Sequence, residues 1–183
     1  MASIFSHIAV PIGIALALGK RRVPKTLLEA GVISAIAPDV DCAAFAFGIP
    51  YQSQFGHRGF MHSIVFALAF AALWAWRQKE FNVPRWGVFA YTFACIMSHP
   101  LIDAMTDGGL GIAFFWPFSA ERYFFPWRFI PVSPIGGSFF SARGLEVITA
   151  ELGLIWLPCL ALGMLGFFIR KFVLKEKPIS CSG

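Results

Sequence analysis

The sequence predicts an all-α fold: a polytopic transmembrane helical bundle of about five spans, with an interfacial segment at residues 107–145. Three observations predict it. Hydrophobic residues make up 57% of the 183 residues and charged residues only 14%, against about 25% charged in soluble domains. The mean hydropathy of +0.69 agrees. The apolar residues fall into runs near 4–19, 26–49, 60–76, 86–106 and 146–170, and a spanning helix needs about 20 residues. The net charge is +5, but the basic residues sit in short clusters between the runs rather than in a basic–aromatic stripe. That placement suits orientation in a membrane and excludes nucleic acid as the expected partner.

The first run lacks the basic n-region of a signal peptide, since its first positive charge, Lys20, follows the apolar stretch. It therefore reads as a retained helix. The first connection carries Lys20, Arg21, Arg22 and Lys25, the third carries Arg77, Lys79 and Arg85, and Arg170, Lys171, Lys175 and Lys177 follow the fifth run. With five crossings these clusters fall on one side, which the positive-inside rule makes cytoplasmic. The N-terminus is then outside and the C-terminus inside. Residues 1–174 form one membrane-embedded domain and 175–183 a short cytoplasmic tail. The segment 107–145, rich in proline, glycine and aromatic residues, is expected at the outer interface or folded back over the bundle, because irregular backbone has no water partner at membrane depth. Trp116, Tyr123 and Trp127 suit a headgroup-level aromatic belt.

Ionisable groups inside apolar runs are costly and mark functional sites. Here they are His7, Asp39, Asp41, His62, His99, Asp103, Glu146 and Glu151, with His57 in the adjoining loop. The topology places all of them in the outer part of the membrane; His99, for example, lies about 21 Å along its helix from Arg85. Polar residues from separate segments that share one depth point to one site. The spacings fit metal ligation: His99 and Asp103 are i and i+4 on one helix face, and Asp39 and Asp41 flank a break after Pro38. His57 and His62 bracket a glycine-containing turn. Imidazole with carboxylate suits zinc, manganese or iron(II), and the number of ligands permits one or two ions. Cys42, Cys95, Cys159 and Cys181 form no CxxC pair and read as small buried hydrophobes.

These residues lie in motifs: SH at 6–7, APDVD at 37–41, GHRGFMHS at 56–63 and SHPLIDAMT at 98–106, followed by FWPF at 115–118, RY at 122–123, PWR at 126–128 and IPVSP at 130–134. Over about residues 1–158 the chain resembles the bacterial inner-membrane metal-dependent hydrolase family, also described as LexA-binding, inner membrane-associated hydrolases. Met61 stands where that family usually has Thr, and Pro100 follows His99. The resemblance implies a metal-dependent hydrolase with His7, Asp39, His57, His62, His99 and Asp103 at matching positions. Its label implies a LexA link, although no residue here marks a repressor-binding surface.

The expected function is hydrolysis at a periplasm-facing divalent metal site, zinc first and manganese or iron after it. The expected substrate is a phosphoester of a membrane lipid. Asp41 or Glu151 is the expected general base. Arg58, Arg122, Arg128 and Arg143 are the basic residues left outside, and guanidinium groups can hold phosphate bidentately. Two alternatives stay open: a transporter or metal-permeation protein using the same residues as a transit site, and a non-enzymatic membrane protein held together by a structural polar cluster.

Overall fold

The computed structural model describes residues 1–174, so the tail expected at 175–183 lies outside the described residues. Among those residues every regular element is helical, and bridges outside helices are two isolated pairs, Thr106–Ile130 and Ile112–Tyr123. Helix α1 (Ile4–His7) leads into α2 (Ala9–Leu18), and α3 (Lys25–Ile36) continues as a 3-10 helix (Ala37–Phe47). A 3-10 turn (Phe60–His62) precedes α4 (Ile64–Trp76), and α5 spans Arg85–Asp103. Then α6 (Ala142–Glu151) runs through a π-helical turn (Leu152–Trp156) into α7 (Leu157–Phe168) and a second π turn (Ile169–Val173).

The apolar runs are thus helical rods, but not uniform ones. Lys25–Phe47, with 23 residues, and Ala142–Val173, with 32, are long and apolar enough to cross a membrane. Ile4–Leu18 and Ile64–Trp76 are apolar but shorter. The second rod changes from α to 3-10 at Ala37, where Pro38 has no N–H to continue the α-helical ladder. The third rod starts late because Ser63 caps it, its Oγ accepting from Phe66 N–H at 3.1 Å. Both irregularities fall where the ionisable residues are.

Close backbone approach joins the first rod to the last. A Cβ on Gly163 would stand 2.8 Å from the Gly13 carbonyl oxygen, and one on Gly13 would stand 2.7 Å from that of Cys159. Small residues at such contacts let α2 and α7 pack by van der Waals contact, the main attraction available between helices in lipid. α5 packs against both α3 and α4.

The two ends of the bundle differ. At one end Val23, Phe81 and Val83 from two connections share an apolar core with Leu27, Val88 and Tyr91. There Arg170 donates to the carbonyls of Ala17 (3.1 Å) and Leu16 (3.2 Å), satisfying the C-terminus of α2. The basic connections therefore meet at this end. At the other end the segment after α5 folds back over the helices, as expected for 107–145. Phe125 N–H donates to Ala104 O at 2.9 Å, Asp107 N–H to Ile130 O at 2.9 Å, and Ser133 N–H to Met1 O at 2.9 Å. Ile112 and Tyr123 exchange bonds of 2.8 and 3.0 Å. These bonds pair part of this irregular backbone within the protein.

Candidate metal centre

The break after Pro38, the turn at 56–59 and the C-terminal turn of α5 converge under that folded segment. They bring His7, Asp39, Asp41, His57, His62, His99 and Asp103 into one buried cluster, with the four histidines and Asp103 fully excluded from the surface. His7 and His99 stack with ring centroids 3.6 Å apart, His62 lies 4.9 Å from His99 and His57 5.4 Å from His62. His99 Nε2 is 3.2 Å from Asp39 Oδ1, His7 Nε2 3.6 Å from Asp103 Oδ1 and His62 Nε2 3.9 Å from Asp103 Oδ2. Ligand-type atoms of Asp39, His62, His99 and Asp103 lie within 4.8 Å of one another, as do those of Asp41, His57 and His62, and those of Asp39, Cys42 and His57.

The hydrogen bonds of the cluster orient lone pairs inward. His99 Nδ1 faces the Ala35 carbonyl at 2.7 Å, so it donates, and in the neutral ring Nε2 keeps its lone pair. His57 Nδ1 donates to Asp41 Oδ1 at 2.7 Å, leaving Nε2 free in the same way. Asp41 Oδ2 accepts from Arg58 N–H at 3.1 Å and lies 3.0 Å from His62 Nδ1. Asp41 therefore positions His57, the arrangement usual behind metal-ligating imidazoles.

What remains is an excess of unsatisfied atoms. Among the described residues, the buried side-chain polar atoms without a hydrogen-bond partner are Trp74 Nε1 and atoms of five cluster residues: His7 Nδ1 and Nε2, both oxygens of Asp39, His57 Nε2, His62 Nδ1 and Nε2, and His99 Nε2. Each such group costs about 1–3 kcal/mol if left unmet. These cluster atoms are of ligand type and lie close to one another, and the residues that carry them, with Asp103, could hold a metal ion.

The other expected site residues are placed differently. Arg58 is not a free phosphate clamp but a buried strut. Its Nε donates to Asp103 Oδ2 (3.2 Å), Nη1 to the carbonyls of Gly108 (3.1 Å) and Leu110 (2.8 Å), and Nη2 to Thr106 Oγ1 (2.8 Å). Its backbone sits at φ 64°, a left-handed conformation rare outside glycine. Arg122 is likewise committed, to the carbonyls of His57, Gly111, Tyr51 and Ser53. Arg128 lies over the Phe124 ring at 4.7 Å, and Arg143 pairs with Glu146 at 2.9 Å on an exposed face. Glu151 stands apart as a general base, because its carboxylate is taken by the start of the chain. It accepts from Ser3 N–H at 2.5 Å, from the Ser3 hydroxyl, and from the Ser6 hydroxyl at 2.7 Å.

Sequence reasoning missed three contributors. Cys42 Sγ lies 3.5 Å from His57 Nδ1; its position one residue past Asp41 was the available signal. Thr106, three residues past Asp103, receives Arg58. Ala2 N–H donates to Asp103 Oδ1 at 2.6 Å, which no side-chain pattern announces.

The model of the YdjM inner membrane protein family matches residues 1–173. The chain belongs to that family. It is also similar to Inner membrane protein YbcI of Escherichia coli (strain K12), with 40% identity over 168 residues, 90% of this chain and 97% of that protein. No solved structure matches it. Membership in YdjM places the chain in the inner membrane, in keeping with its composition, and the match covers every residue of the cluster.

Proposed function

We propose that this YdjM-family chain is a metal-dependent hydrolase of the inner membrane, acting on a phosphoester of a membrane lipid. The observation that carries the reading is the set of unpartnered, inward-facing ligand atoms on His7, Asp39, His57, His62 and His99. Two imidazoles and two carboxylates, from His62, His99, Asp39 and Asp103, form a donor set suited to zinc, then manganese or iron(II). A divalent ion held there supplies Lewis acidity, polarising an ester and acidifying water. The chain supplies the rest. Asp41 holds His57 through its Nδ1–H, so that Nε2 is the lone pair offered to the ion, which gives Asp41 a positioning role. Arg58 holds Asp103 in place and ties it to the loop at 106–110.

The same reading places the centre on the periplasmic side. The basic connections meet at the end of the bundle opposite the cluster, and five crossings then put the N-terminus outside and the C-terminus inside. The test is turnover by purified, zinc-loaded protein offered phospholipids, polyprenyl phosphates and membrane peptides. Release of a phosphorylated headgroup or of phosphate, abolished by chelator and by Asp103→Asn, is the expected result. Cleavage of peptide alone would overturn the lipid assignment, and absence of any turnover by metal-loaded protein would overturn the enzyme.

A further inference from the structure

We propose that the cavity beside Asp39 binds one acyl chain of a membrane phospholipid and delivers its phosphoester to the cluster. This rests on the hydrolase reading for its purpose but not for its geometry. The cavity, about 330 Å³, runs between the start of the chain, the 3-10 helix and residues 133–140, and Asp39 and Cys42 stand in its wall. The size is at the lower end of ligand pockets, room for one hydrocarbon chain rather than a folded peptide.

Access singles this cavity out. His7, His57, His62, His99 and Asp103 have no exposure, whereas Asp39 keeps 8% and Asp41 6%, and of these two Asp39 lines the cavity. The Asp39 side is therefore where the cluster comes nearest the surface along this cavity. The lining also changes character along its length. Its rim is aromatic and aliphatic: Phe5 and Phe139 sit 5.9 Å apart, Phe140 is 89% exposed and Ile135 44%. Its inner end is the Asp39 carboxylate, whose Oδ1 lies 3.2 Å from His99 Nε2 within the cluster. An apolar mouth open to the surroundings of a membrane protein, leading to a polar centre, matches an amphiphile lying tail-out and head-in. A soluble substrate would have no use for the rim. The other large cavity, about 680 Å³ between Trp76 and Trp86, lacks this gradient: Arg85 is its sole ionisable lining residue.

The test uses the full chain in nanodiscs containing phosphatidylglycerol with a photoreactive diazirine on one acyl chain. Expected is labelling of the peptides bearing residues 1–5 and 133–140, at least fivefold reduced by excess unlabelled lysophosphatidylglycerol and by Ile135→Trp, with bound metal unchanged. Leu162→Trp, on the exposed surface of α7 and outside this cavity's lining, should retain the labelling, which separates filling of the cavity from general damage. Labelling spread over the outward faces of α4 and α7 and insensitive to competitor would be ordinary lipid contact and would overturn the proposal. Saturable labelling without turnover of any phospholipid keeps the groove and removes the hydrolase. Turnover without such labelling removes the groove and keeps the hydrolase.

Discussion

At the scale of single residues, Arg58 and Asp103 set the terms. Asp103 accepts from the Arg58 guanidinium and from Ala2 N–H while also facing His7 and His62. Asp103→Asn keeps the shape and removes the charge, so bound metal and any turnover should fall together. A merely hydrogen-bonded aspartate would tolerate Asn with little loss. Elemental analysis of the variant against wild type decides this. Removing Arg58 has a different expected effect. Its guanidinium is fully buried with four hydrogen bonds, and breaking a buried ion pair from one side costs about 3–5 kcal/mol. Arg58→Ala should therefore lose folded protein in thermal unfolding in detergent, whereas Arg128→Ala, at an exposed ring contact, should leave melting unchanged. Equal melting for both variants would show that the Arg58 strut carries no weight. The sequence made the histidines and aspartates legible because charge is rare in apolar runs. It could not show that Arg58 and Arg122 point inward to carbonyls, because an arginine at an outer loop reads the same whether it meets a phosphate or the protein's own backbone. The partners of Glu151 were hidden for a related reason: Ser3 and Ser6 lie far away in the sequence.

At the scale of elements, the bundle depends on the approach of α2 to α7. Gly13 and Gly163 leave no room for a side chain, so Gly163→Leu should push the last rod away from the first. The expected cost is about 1–3 kcal/mol for overpacking, and proteolysis should become faster at the Ala142–Val173 rod, whose surface is otherwise largely exposed to its surroundings. Gly153→Ala, with open space around its Cβ, should be silent in the same assay. The positions of the rods were readable from hydropathy alone. Their internal breaks were partly so: Pro38 marks the first and Ser63, a cap residue just before an apolar run, marks the second, but the π turns around Leu152 and Ile169 have no comparable sequence mark.

At the scale of the whole molecule, the polarity of the two ends governs everything else. Basic connections gather at one end and the histidine–aspartate cluster at the other, as the shared depth of those residues in the sequence implied. Fusions of a phosphatase that works only outside should be active after residue 110 and inactive after residue 80; the reverse pattern would invert the topology and put the centre in the cytoplasm. Metal should also stabilise the whole fold, since an ion that binds only the folded cluster adds about 4 kcal/mol at a thousandfold excess over its dissociation constant. The measurement that bears most directly on the metal centre is the metal content of the purified protein after zinc reconstitution and removal of free ion, made beside a His62→Ala/His99→Ala variant. Near-stoichiometric bound zinc in the wild type and its loss in a variant of unchanged helicity is the result predicted. A folded wild-type protein that holds no metal, or a variant that retains as much, would contradict it.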